Sequence, residues 1–396
     1  MKNPIYLDNN STTPMDPEVL AAMIPYFCEK FGNPESRSHA YGWQAAEAVD
    51  QARKTIARAI GTSHDPGIIF TSGATESNNL AIKGIVHGSG IKPAHIITQK
   101  TEHKCVLDSC ATLEKEGHEV TYLDVDFEGK IKLEDLKTAL QKNTVLCSIM
   151  TANNEIGTLQ PIKEIASLCH SKNILFHTDA VQAMGKIPIH VESDGIDLLS
   201  LSGHKIYGPK GIGALYISKK NPSIKVSPLL QGGNQEQGLR SGTLNVPGIV
   251  GLAKALELAS QKMPDEQKRL SQLRNYFIDK IEKEIDLVTI NGSRTDRLPT
   301  NISFTFDFVK ADELIMALPE LAFSTGSACS SGSNEPSYVM QALGVSPKAV
   351  LSTVRFGLGR WTTAKEIDFA VDKLAVAVKK LRSQSLEYEM AKGVSS

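Results

Sequence analysis

The 396-residue sequence predicts an α/β protein, with a mostly parallel sheet in a large domain and a smaller α+β domain after it. Three observations predict this. Short β-rich runs alternate with longer helix-like segments from about residue 67 to about residue 220. The intervening helices carry apolar residues at three- and four-residue spacing, as in Ile162, Ile165, Ala166 and Cys169. That rhythm belongs to a parallel sheet covered by helices on both faces. Beyond about residue 260 the texture changes to a charged helical stretch followed by isolated strand-like runs.

Taken in order, Ile5-Tyr6-Leu7-Asp8 is strand-like, and the residues before it lack an apolar signal core. Strands are expected at Ile68–Thr71, His95–Thr98, Val120–Leu123, Val145–Ile149, Ile174–His177, Asp197–Leu201 and Gly213–Ile217. In such a sheet, ligands gather beyond the carboxyl ends of the strands. Asp265 to Glu284 reads as helix and Thr300–Phe306 as a strand. The expected division is 14–260 for the large domain, with 1–13 and 261–396 forming the small one. The last residues, Lys392–Ser396, are expected to be mobile.

Composition narrows the function. A net charge of -1 argues against an electrostatic grip on nucleic acid or anionic membrane. No run of about 18 apolar residues occurs, so no transmembrane helix is expected. The cysteines Cys28, Cys105, Cys110, Cys147, Cys169 and Cys329 form no Cys-x-x-Cys pair and no metal spacing. That fits free thiols in a reducing compartment, the cytoplasm, and no zinc site. Five of them lie in apolar or helical contexts and read as buried or incidental.

The chemistry concentrates at strand ends. Ser202-Gly203-His204-Lys205 closes an apolar run and places a lysine where desolvation lowers an amine's pKa. A neutral amine there suits Schiff-base chemistry with an aldehyde such as pyridoxal phosphate. Thr71-Ser72-Gly73-Ala74-Thr75-Glu76-Ser77-Asn78 follows a strand and opens a helix, an arrangement suited to phosphate. It equally suits a simple N-cap on Ser72 or Thr75. Asp179 can pair with a protonated pyridine nitrogen or cap a helix, and Gln182 follows about one turn later. His103, in Thr101-Glu102-His103-Lys104, can stack on a ring and move protons. Asn153-Asn154 offers amides to the same sheet edge, and Gly238–Thr243 is a glycine–hydroxyl–arginine loop able to close over a phosphate. Arg355 suits a carboxylate, whereas Arg360 reads as a surface ion pair. Cys329, in Ser324-Thr325-Gly326-Ser327-Ala328-Cys329-Ser330-Ser331-Gly332-Ser333, reads as an exposed nucleophilic thiol.

Together with Tyr6-Leu7-Asp8-Asn9-Asn10-Ser11-Thr12-Thr13-Pro14, these motifs resemble the cysteine desulfurases, pyridoxal-phosphate enzymes of the class V aminotransferase group. The resemblance runs from about residue 4 to about residue 390. The loop around Cys329, about 324–340, resembles the long catalytic loop of the group that includes the housekeeping iron–sulfur enzyme.

The resemblance implies the aspartate aminotransferase-like fold of PLP-dependent transferases and a homodimer. It implies that Lys205 carries pyridoxal 5'-phosphate, that Asp179 faces the pyridine nitrogen, that Gln182 faces the phenolic oxygen and that His103 stacks on the ring. Thr75, Ser202, His204 and the backbone at Ala74 would hold the phosphate, with Thr243 arriving from a partner subunit. Asn154 and Arg355 would position the carboxylate of L-cysteine. Cys329 would take the sulfur as a persulfide, releasing L-alanine, and pass it on for iron–sulfur cluster assembly or tRNA thiolation. No resident metal is implied; at most Cys329 meets a cluster on a partner transiently. Two departures are visible. Asn234 stands where the family usually has a third glycine. The sequence also stops soon after Val394, where the housekeeping enzymes carry a longer scaffold-docking tail, so the resemblance does not extend to that contact. A selenocysteine lyase on the same fold stays open; an aminotransferase has no use for a mobile Cys329, and a non-enzymatic relay would not keep Lys205, Asp179 and Cys329.

Overall fold

The computed structural model describes residues 4–63, 67–326 and 336–394. Its main layer is a seven-stranded sheet, built from β2 (Ile68–Thr71), β3 (His95–Gln99), β4 (Glu119–Leu123), β5 (Thr144–Ser148), β6 (Leu175–Asp179), β7 (Leu198–Ser202) and β8 (Gly213–Ile217). The order is β2-β8-β7-β6-β5-β3-β4. β8 pairs antiparallel with both β2 and β7, while the other pairings are parallel. Six strands therefore end on one edge, at Thr71, Gln99, Leu123, Ser148, Asp179 and Ser202, and β8 starts there. Each expected strand is present within two residues at either end. β2, β3, β5, β7 and β8 are buried at every position, as Ile- and Leu-rich strands covered on both faces should be.

A second, antiparallel sheet joins β12 (Ser324–Thr325), β13 (Thr353–Gly357), β10 (Asn301–Phe306) and β9 (Val288–Ile290) in that order. The N-terminal strand β1 (Ile5–Tyr6) pairs with β11 (Leu321–Ala322), so the chain start is stitched to the later part of the sequence. Phe277, Phe304, Phe306 and Phe356 are fully buried beside this second sheet, with ring centroids 5.2–6.1 Å apart. Burial of each such side chain contributes about 1.5–3 kcal/mol.

The helix expected from Asp265 starts much earlier. It spans Val246–Glu284, 39 residues, with Pro264 inside it. A proline in a helix interior costs about 3 kcal/mol. Packing outweighs that cost: Ile249, Leu252, Ala255, Leu256 and Leu258 join the core of the large sheet. Leu270, Leu273, Phe277 and Ile281 join the second core. One helix thus serves both cores, and the changeover falls around the proline. Asn245 caps its start by accepting from Gly248 N–H.

Candidate active site

A cleft of about 970 Å3 opens at the carboxyl edge of the seven-stranded sheet. Ala74, Thr75, His103, Asn154, Asp179, Gln182, Ser202, His204, Lys205 and Arg355 all line it. Residues from five separate strand ends, together with β13, are thereby brought to one place. Thr243 is not among them. It is exposed and lines a neighbouring cavity of about 210 Å3 with Ser72, Gly211 and Arg240. Cys329 lies outside the described residues.

Lys205 sits just past β7, on a short turn of 3-10 helix (Gly203–Lys205) rather than on the strand itself. Its amine donates to the backbone carbonyls of Asn10, at 2.7 Å, and Ser11, at 2.5 Å. The N-terminal segment is thus drawn across the sheet edge and forms one wall. The adjacent His204 carbonyl accepts from Thr13 N–H and from the Thr13 hydroxyl, and the His204 ring bonds the Thr12 hydroxyl at 3.1 Å. Burial, with the positive charges of Lys205, Lys210 and Lys186, lowers the His204 pKa to about 4. His204 is therefore a neutral donor or acceptor at neutral pH.

The anion edge is the start of helix Ala74–Ser89. Its N-cap is Gly73, and no side chain caps it, so neither Ser72 nor Thr75 plays the capping part. Gly73 adopts φ 154 and ψ -178, a backbone region open essentially to glycine alone. A Cβ there would meet nothing within 4 Å, whereas one on Gly213 would lie 2.7 Å from the Gly73 backbone. The first-turn amides therefore face an open cradle whose floor is set by the glycine of β8. Arg240 does not close over this edge alone: its Nε donates to Glu76 at 2.9 Å, and Ser72 N–H donates to the same carboxylate.

Asp179 ends β6, with one oxygen accepting from Val181 N–H and the other from the Asn78 amide at 2.7 Å. Asn78 also donates to Cys105 Sγ, which lies 3.0 Å from His103 Nδ1. A hydrogen-bonded chain thus joins the two groups expected to grip a ring. The Cys105 N–H donates to His103 Nδ1 as well, so that nitrogen is an acceptor and the proton of the neutral ring sits on Nε2. Gln182 lies in a run of turns, not in a helix.

Arg355, on β13, is almost fully buried. It donates to Asp8 at 3.0 Å, to the Ser11 hydroxyl at 2.6 Å and to the Asn154 carbonyl at 3.0 Å. Its Nε has no partner among the described residues, nor does Oδ1 of Asn154 beside it. A guanidinium carries five N–H donors. Among the described residues both Nη2 donors and one Nη1 donor are spent, which leaves one Nη1 donor for a carboxylate; a two-pronged grip requires Nη2 to release Asp8 or Ser11. Arg360, expected at the surface, is instead half-buried with its side chain only 7% exposed, held by Asp16 and Glu266 at 2.6 Å each and stacked over Tyr207.

Residues 5–369 match the family model for class-V aminotransferases. The chain belongs to the class-V aminotransferase family. Within it, the chain groups with the cysteine desulfurases. It is 51% identical to cysteine desulfurase IscS of Rickettsia felis over 387 residues, 98% of this chain and 94% of that one. The figures are the same for IscS of Rickettsia prowazekii. Among solved structures, a NifS-like protein superposes with TM-score 0.88 at 36% identity, covering 95% of this chain and 99% of its own. A structure of SspA in complex with cysteine superposes with TM-score 0.79 at 39% identity, over 91% of this chain and all of the other.

Enzymes of this kind use pyridoxal 5'-phosphate, and the cleft of this class-V enzyme has the parts to hold it. The open Gly73 cradle suits a phosphate, Asp179 suits a ring cation, and Lys205 lines the same cleft. When bound, the cofactor supplies an electron sink for charge developing at a substrate α-carbon.

Several functional residues escaped the reading of side chains one by one. The Asn10 and Ser11 carbonyls act through backbone, which residue type does not reveal. Asp8 pairs with Arg355 across 347 residues of sequence, and its only signal was the Tyr6–Pro14 motif. Among the cysteines, Cys110, Cys147 and Cys169 are buried, but Cys28 is exposed and Cys105 is part of the site. Glu155, 2% exposed, accepts from the Ser337 hydroxyl at 2.5 Å, and burial raises its pKa to about 7.

Proposed function

We propose that this cysteine desulfurase takes the sulfur of L-cysteine onto Cys329 and releases L-alanine. The observation that carries the reading is the convergence on one cleft of a lysine amine, an aspartate beside an anion cradle, and a buried arginine held in place by Asp8. Arg355 and Asn154 orient the substrate carboxylate. Lys205 carries the cofactor and exchanges the substrate's α-proton. His103 stacks on the ring and presents its Nε2 proton toward the reacting sulfur side. The phosphate lies on the Ala74 and Thr75 amides with Ser202 and His204, Asp179 faces the ring nitrogen, and Gln182 faces the phenolic oxygen. At Cys329 the carbon–sulfur bond breaks, an S–S bond forms, and the remaining carbon takes up a proton to leave as alanine.

The reading includes two structural units, 14–260 and 1–13 with 261–396, and a homodimer working in the cytoplasm. An exposed apolar face supports the dimer: Leu20, Ile24, Phe27, Phe31, Tyr41 and Trp43 are all more than 45% exposed, with Phe31 and Tyr41 stacked at 5.2 Å. Exposed apolar side chains of this kind suit an interface, and a second copy against them would let Thr243 serve the neighbouring cleft. The persulfide passes to an acceptor protein for iron–sulfur cluster assembly, with tRNA thiolation as the other outlet. The test is a product assay with cysteine and selenocysteine in parallel. With excess dithiothreitol to reduce the Cys329 persulfide, equal amounts of alanine and sulfide from cysteine support the reading. Product from selenocysteine alone would move the enzyme to the lyase class.

A further inference from the structure

One titratable group behind the cleft has no part in the chemistry above. Lys186 keeps some of its stem at the surface, but its amine is desolvated and points inward. Burial, with the charges of Lys205 and Arg355, lowers its pKa to about 7. It shares a cavity of about 20 Å3 with Lys205 and Glu266, and Glu266 is itself paired with Arg360.

Its contact is specific. Lys186 Nζ donates to Gln182 Oε1 at 3.2 Å, and Gln182 Nε2 donates to the Asn10 carbonyl at 2.9 Å. The same carbonyl takes the Lys205 amine at 2.7 Å. A carboxamide has two ends of nearly equal shape and opposite polarity, so something outside it must decide which way it points. A charged lysine amine only donates, which requires oxygen at its end of the amide. A backbone carbonyl only accepts, which requires nitrogen at the other. Both contacts agree.

We propose that Lys186 is a positioning residue that fixes the Gln182 amide so that its NH2 end faces the cofactor side, linking Gln182 to Lys205 through Asn10. This rests on the reading that Gln182 donates to the cofactor's phenolic oxygen. A donor there stabilises the more negative, deprotonated state of the bound cofactor. Loss of that donor, or of its orientation, raises the pH at which the bound cofactor titrates. The charged groups facing Lys186 are Lys205, Arg355 and Glu266.

The test titrates the visible absorbance of the cofactor-loaded enzyme in four forms: parent, Lys186→Met, Gln182→Leu and the double variant. KM and kcat for cysteine are measured alongside. Each single variant should raise the spectral midpoint by about 0.5–1 pH unit. The double variant should move it no further than Gln182→Leu alone, because both act through one amide. A shift with Gln182→Leu but none with Lys186→Met overturns the positioning role and leaves the Gln182 reading intact. No shift in either overturns both, and additive shifts show that Lys186 does not act through Gln182. If Lys186→Met does not take up cofactor, Lys186→Leu, which also removes the donor, carries the same comparison with the same outcomes.

Discussion

Replacing Arg355 by alanine removes a fork whose arms are already half committed. Three of its donors hold Asp8, Ser11 and Asn154 in place, and the residue lines the cleft. Removing one partner of a desolvated, hydrogen-bonded charge pair costs about 2–5 kcal/mol in binding. At about 1.4 kcal/mol per decade, KM for cysteine should rise from about 30-fold to a few thousand-fold. The substitution also strands the Asp8 carboxylate, so thermal stability is measured separately from kinetics. Arg355→Lys keeps one charge but cannot form the fork, and should fall between the two. The assay is steady-state alanine formation across a wide range of cysteine. A KM within about threefold of the parent, in a folded Arg355→Ala enzyme, would refute the carboxylate assignment.

Three further outcomes are expected. With dithiothreitol present to reduce any persulfide, Cys329→Ser should bind cofactor normally yet release no sulfide from cysteine, checked by absorbance and sulfide detection. Glu155 has a pKa raised from 4.5 to about 7 by burial, so the folded protein retains a proton that the unfolded chain has lost within that window. Its contribution to stability is therefore present below about pH 4.5 and lost as pH rises through 7, by up to about 3 kcal/mol. Buried Glu102 is shifted the same way, so the difference between parent and Glu155→Gln melting curves isolates Glu155, and the variant should gain stability relative to the parent at pH 8. Glu236, buried, accepts from both terminal nitrogens of Arg53 and from Phe70 N–H. Glu236→Ala should lower stability by about 3–5 kcal/mol in chemical denaturation, because it leaves Arg53 uncompensated.

Much of the fold was legible because its strands are short, apolar and closed by chemically distinctive residues. Ile68–Thr71 and Leu198–Ser202 announce themselves in this way, and the cleft follows once their ends share an edge. What was not legible depends on partners distant in sequence. Nothing near Arg360 tells that Asp16 and Glu266 will bury it. Nothing near Pro264 tells that two cores hold one helix together across it. Cys105 looked like one more apolar-context thiol; only the approach of Asn78 and His103 gives it a role. Lys186 was silent for the same reason, since its meaning lies in the orientation of Gln182.

The central claim is that Lys205 carries the cofactor, and two other lysines stand close enough to compete. Lys210 lines the same cleft, and Lys186 lies behind it. Borohydride reduction of the cofactor-loaded enzyme, followed by proteolysis and mass spectrometry, decides among them. The account predicts a phosphopyridoxyl group on the Lys205 peptide and none in Lys205→Ala. The same group on Lys186 or Lys210 in the parent, or no modified lysine at all, would contradict it.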